Sequence, residues 1–191
     1  MLRNQTNRGK GFSIRRGMLE ASGDLRLMCD ADCVSSLESL PGLEKAAEEV
    51  DVVVGSRVGT GAHVSRQQPI RRRVVGIGFL TLSRLVLGQL PRDIYCGFKL
   101  WRSEVATEVF ERVRLDGWAF DAEALAMARR FGYEIREVGI EWTNRPDSRL
   151  SIRNVLWPVT GELIAARRNI NSAVSERSVR SDALAADPSR P

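Results

Sequence analysis

Asp30-Ala31-Asp32 stands directly after a short apolar run, Leu25 to Cys29, and so sets two carboxylates at the end of a candidate strand. Paired hard oxygen donors suit Mg²⁺ or Mn²⁺, and such an ion usually completes its shell with phosphate oxygens. The carboxyl ends of strands are where α/β sheets bind ligands. Alone, the triplet reads equally well as a solvated turn that caps a helix. Arg57 follows a second apolar run, Val52 to Val54, across Gly55-Ser56. A glycine there permits a tight turn, and a guanidinium fork suits a phosphate, with a surface salt bridge as the alternative. Asp121 and Glu123 open a helix built on Leu125, Ala128 and Phe131, where carboxylates favour the helix dipole without any further role. Arg8 and Lys10, interleaved with Gly9 and Gly11, suit a phosphate or a base edge, or form a flexible basic turn. Cys96 reads as a small filler, because the only histidine, His63, is too distant in sequence to activate it.

These residues need a frame to hold them. A third strand is expected over Glu134 to Trp142, with Val138, Ile140 and Trp142 on one face. Helical spacing appears at Ile14, Met18 and Ala21, at Leu37, Leu40, Leu43, Ala47 and Val50, and at Val105, Val109 and Val113. Alternating strands and helices predict α/β layers. Residues 71–90 begin with Arg71-Arg72-Arg73 and continue as an almost wholly apolar helix, which fits either a core helix or an interfacial one whose basic lead-in meets anionic headgroups. A last helix is expected from Asn154 to Asn169, with Pro158 in its first turn.

Composition narrows the class. With 43% hydrophobic and 28% charged residues, a chain of 191 forms one folded domain, and a mean hydropathy of -0.21 excludes an integral membrane bundle. Basic residues number 29 against 24 acidic, a net charge of +5, yet only Lys10, Lys45 and Lys99 are lysine. An arginine excess points to phosphorylated ligands, anionic lipid or nucleic acid. Three cysteines and one histidine make neither a disulfide framework nor a zinc site. The opening MLRNQTNRGKGF lacks a signal peptide's apolar core, and the expected location is the cytoplasm.

Six blocks, in order and spacing, carry a resemblance: Asn7-Arg8-Gly9-Lys10-Gly11, Asp30-Ala31-Asp32, Val54-Gly55-Ser56-Arg57, the segment Asp93 to Lys99, Trp118-Ala119-Phe120-Asp121-Ala122-Glu123, and Ser148-Arg149. Together they resemble the family-2 glycosyltransferases, and within them the branch that loads sugars onto polyprenyl phosphates. The Cys96-Gly97-Phe98-Lys99 and Trp118 to Glu123 blocks are most similar to the dolichyl-phosphate β-glucosyltransferase type. The resemblance implies a GT-A fold, a Rossmann-like sheet with helices on both faces, binding a nucleotide-sugar (UDP-glucose or GDP-mannose) through Mg²⁺ or Mn²⁺. Asp30 and Asp32 would hold the metal and, with Lys10 and Arg149, the donor diphosphate. Arg57 and Arg145 would meet the acceptor phosphate. Asp93 and Lys99 would line the pocket, and Asp121 would orient the sugar or acceptor, making these three the expected catalytic set. Val34 stands where mannose-transferring relatives often carry a glutamine, which favours glucose.

The same resemblance implies that relatives place a further β-α-β segment before the Asn7 block. The expectation is a partial family domain over residues 1–170 that lacks its first strands, followed by a disordered tail over 171–191. The expected activity is metal-dependent, inverting transfer of a hexose to polyprenyl phosphate at the cytoplasmic face of a membrane. A soluble phosphorylated acceptor, or a remnant without activity, are the alternatives. A nucleic-acid-binding module has only charge in its favour, and no nucleic acid is expected as a partner.

Overall fold

A computed structural model describes residues 1–30, 37–66, 70–143 and 152–185. In chain order the elements are α1 (Lys10–Glu20), β1 (Leu25–Cys29), α2 (Leu40–Ala47), β2 (Val52–Ser56), β3 (His63–Arg66), α3 (Ile70–Leu87), β4 (Phe98–Arg102), α4 (Ser103–Phe110), α5 (Phe120–Arg130), β5 (Ile135–Gly139), β6 (Glu141–Thr143) and α6 (Ile152–Ala185).

A four-stranded mixed sheet runs in the order β1-β4-β2-β5. β2 and β5 are parallel, while β4 is antiparallel to both β1 and β2. The carboxyl ends of β1 and β2 and the start of β4 therefore meet at one edge, which carries Asp30, Arg57 and Lys99. Side chains alternate across the sheet, with Val52, Val54 and Trp101 packing among α4, α5 and α6, and Val53, Phe98 and Leu100 packing on α2 around Leu43 and Ala46. Helices thus cover both faces, as expected. Lys99 shares the parity of Trp101, so its side chain is driven beneath α5.

The expected strand from Glu134 to Trp142 is two strands. β5 stays in the main sheet, whereas β6 pairs in parallel with β3. The chain changes partner at Gly139-Ile140, where the Ile140 amide still bonds the Ser56 carbonyl and its carbonyl accepts the His63 amide. Gly55 lies inside β2, so its role is not a turn. A Cβ there would fall 2.8 Å from the Phe98 carbonyl oxygen.

The core reading of the 71–90 segment holds for one side of α3 only. Phe79, Leu82 and Val86 pack on the core, while Ile70, Val74, Ile77 and Leu85 project into solvent at 77%, 64%, 56% and 76% exposure. Helix α6 overruns the expected tail and continues to Ala185, and because it begins at Ile152 its Pro158 falls in the second turn. Val159, Leu163, Ala166, Ile170 and Ala173 are buried at alternating spacings of four and three, which gives the helix an apolar seam that extends past residue 170. Arg177 fastens the extension by donating to the Phe131 carbonyl and to Glu108.

Candidate functional site

The turn before α1 delivers Lys10. Gly9 adopts φ 103°, its amide donates to Asn7 Oδ1, and a Cβ at Gly9 would fall 2.3 Å from the Asp116 carbonyl oxygen. The Gly11 amide donates to that same carbonyl at 2.9 Å. Glycine at both positions therefore lets the backbone close on the loop before α5 and points the intervening lysine across the sheet edge. Lys10 Nζ lies 2.9 Å from Asp30 Oδ2 and 3.7 Å from Asp121 Oδ2, bridging the two carboxylates. The rings of Trp118 and Phe120 stand 5.7 and 5.5 Å from the same ammonium.

Asp30 is held by β4's lead-in. Its amide donates to the Gly97 carbonyl at 2.7 Å, and a Cβ on Gly97 would fall 1.9 Å from Asp30 Oδ2. The glycine is a cradle for the carboxylate. Lys99, 1% exposed, donates to Asp121 Oδ1 at 2.5 Å and to the Cys96 carbonyl at 2.6 Å. Asp121, 3% exposed at the head of α5, is thus fixed as the counter-charge of a buried lysine. Lys99, Asp121, Lys10 and Asp30 form an alternating chain of charges that runs from the core to the sheet edge.

Arg57 and Asp93, assigned above to different roles, are partners. Arg57 Nε and Nη2 donate to the two carboxylate oxygens of Asp93 at 2.8 and 2.7 Å, and the Arg57 amide adds a third bond at 2.8 Å. The guanidinium also lies 5.3 Å from the Trp142 ring, and Glu137 accepts the Asp93 amide. Burial alone would push Asp93 up, but the hydrogen bonds and charge of Arg57 outweigh it and hold the carboxyl below the usual range. Arg57 Nε and Nη2 are therefore both engaged by Asp93.

Other groups are support. Burial pushes Glu123 up, against hydrogen bonds from the Leu115 amide, Asn169 and the Arg114 amide. It ties α5 to α6 and to the preceding loop, away from the sheet edge. Cys96 is buried, which with the nearby Asp93 pushes its thiol up to about 11, so it stays protonated and fills space. Tyr95, pushed up to about 12 chiefly by burial, hydrogen-bonds Ser83 on α3. Asp32, Arg145, Ser148 and Arg149 lie outside the described residues. Sequence reasoning places Gly97 only within the segment that the resemblance puts at the pocket, and gives Trp142 and Glu137 no part in the site.

Asp30 fits a divalent ion in donor chemistry, being a hard oxygen at the carboxyl end of a strand, partly exposed and cradled by Gly97. No group of three or more metal-binding side chains occurs among the described residues.

The architecture is a mixed α/β sheet covered on both faces, with a carboxylate and basic side chains at its strand ends. Residues 1–110 match the model of glycosyl transferase family 2, and the chain belongs to that family. Among similar proteins, a dolichyl-phosphate β-glucosyltransferase of Trichomonas vaginalis is 32% identical over 163 residues, 82% of this chain and 48% of that protein. The dolichyl-phosphate β-glucosyltransferase of Homo sapiens is 32% identical over 151 residues, 75% of this chain and 47% of its own length. The chain spans about half the length of the curated relatives it matches. Among solved structures, glucosyl-3-phosphoglycerate synthase from Mycobacterium tuberculosis in complex with UDP superposes with a TM-score of 0.54 at 18% identity, covering 87% of this chain and 55% of the other. That likeness supports the fold.

Proposed function

We infer that this chain carries the diphosphate- and acceptor-facing part of a transferase that moves glucose from a nucleotide-sugar to a polyprenyl phosphate. The observation that carries the reading is the convergence of Asp30, Lys10, Asp121 and Lys99 on the carboxyl edge of the sheet. The names of the relatives supply the sugar and the acceptor class. A divalent ion, present with UDP-glucose in a related Mycobacterium tuberculosis structure, would be held by Asp30 and, by the resemblance, Asp32. When bound, it would offset the negative charge that gathers on the departing diphosphate.

This chain's own residues do the rest. Lys10 meets the diphosphate from the α1 turn, opposite Asp30. Asp121, immobilised by Lys99, presents Oδ2 toward the site and orients the sugar or the acceptor. No general base is required of it, because a phosphate monoester is already ionised near neutral pH and attacks the anomeric carbon as an anion. Arg57, aligned by Asp93, is the residue assigned to that anion. The exposed apolar face of α3, led by Arg73, rests on the anionic surface in which a polyprenyl acceptor sits. We assign the protein to the cytoplasmic face on the same reasoning.

Titration of UDP-glucose into the chain with and without Mn²⁺ tests the donor reading. Binding should require Mn²⁺, should be shared with GDP-mannose because contact is made through the diphosphate, and should fall at least tenfold in Asp30→Ala. Nucleotide-sugar binding that ignores both the metal and Asp30 would falsify it.

A further inference from the structure

The ammonium of Lys10 lies against Asp30, the carboxylate read above as a ligand of the divalent ion. It stands 2.9 Å from Asp30 Oδ2 and 3.7 Å from Asp121 Oδ2, and all three side chains are at least partly shielded from water. The neighbouring cations are committed elsewhere: Lys99 is 1% exposed and held by Asp121 and the Cys96 carbonyl, and Arg57 grips Asp93 with two donors. The backbone of Lys10 is pinned through Gly9 and Gly11 to Asp116, whereas its four-carbon side chain is flexible. Movement of the ammonium therefore needs no movement of the fold.

We propose that Lys10 is a built-in competitor for the divalent ion: it neutralises Asp30 in the free chain and surrenders that carboxylate only when a diphosphate arrives to receive the ammonium. The inference rests on the nucleotide-sugar reading above. Metal alone must displace one positive charge from Asp30 and then sit beside it, a repulsion that a partly buried site does not screen away. A diphosphate removes that conflict by giving Lys10 an anionic partner on the far side. Metal and nucleotide then each favour the other's binding, and by linkage the coupling is reciprocal. The face of Trp118 or Phe120 offers the ammonium a second contact as it swings.

Lys10→Met separates this from a plain supporting role, because it moves two affinities in opposite directions. Mn²⁺ binding to the 191-residue chain, followed by electron paramagnetic resonance without nucleotide, should tighten by about tenfold. UDP binding at saturating Mn²⁺ should weaken by about tenfold, since the diphosphate has lost its ammonium. Lys10→Arg, which keeps the charge, should hold Mn²⁺ affinity near that of the unaltered chain and so guards against a folding artefact. If Lys10→Met leaves Mn²⁺ affinity unchanged or weaker while UDP still requires Mn²⁺ in the unaltered chain, the competitor role is overturned and the donor reading stands. If UDP binding to the unaltered chain is indifferent to Mn²⁺, the donor reading fails and takes this proposal with it.

Discussion

Lys99 shows how one buried charge shapes a site. Strand parity sends it under α5, where an unpaired ammonium is untenable, so Asp121 must be there to meet it. Lys99→Met leaves the buried Asp121 without its principal partner and should cost about 3–5 kcal/mol in chemical denaturation, with much of the loss recovered in the double variant Lys99→Met/Asp121→Leu. The Asp93–Arg57 pair makes a pH prediction. Because the folded-state value of Asp93 is held below its unfolded one, its contribution is present above the unfolded value, near 4, and is lost as pH falls through the lower folded value. Thermal melts of the unaltered chain and Asp93→Asn should therefore differ most near neutrality and converge in acid. Glu123 works in the opposite sense: its raised value makes its contribution decline as pH rises from the unfolded value through the folded one. Asp30 and Asp121 are legible as candidates from their positions after a strand and at the start of a helix, whereas Asp93 enters only through the family resemblance. Their partners are not legible, since Lys10 reaches Asp30 across 20 residues and Arg57 reaches Asp93 across 36.

At the scale of elements, short runs made mainly of apolar residues are the reliable signal, even where Arg26 interrupts one. β1 and β2 lie where Leu25 to Cys29 and Val52 to Val54 place them. β4 lies outside the expected strands, and no local pattern foretells the ion pair that its Lys99 makes with Asp121 on a later helix. The 134–142 segment was joined into one strand because alternation persists through Gly139, while the change of sheet depends on where β3 lies. Helix α3 turned on a question that composition leaves open, and its exposed stripe now gives a test. Replacing Ile70, Val74, Ile77 and Leu85 with serine should leave the melting temperature within about 2 °C, since each is largely in solvent, yet abolish flotation with anionic vesicles. Equal flotation of the unaltered and substituted chains would remove α3 as the docking face.

For the whole molecule, the boundary near residue 170 was misplaced because Ser172 to Ala185 is rich in Ser, Arg and Ala and poor in large apolar groups, so it resembles a solvated tail. It stays ordered by extending a helix already anchored at Leu163 and Ile170, with Ala173 small enough to pack closely and Arg177 bonded to Phe131 and Glu108. Ending the chain at Asn171 should lower the melting temperature by about 4–8 °C, equivalent to roughly 2 kcal/mol for a domain of this size. The sheet order carries one more implication. β2 lies between β4 and β5 and is buried at every position, whereas among the described residues β1 is paired on one side only, against β4. Backbone amides should therefore exchange with deuterated solvent slowest in β2 and sooner in β1, the strand that carries Asp30. The carboxylate expected to hold the metal thus follows directly on one of the sheet's two edge strands, and a ligand that clasps Asp30 should make its largest mark there, as new protection against exchange.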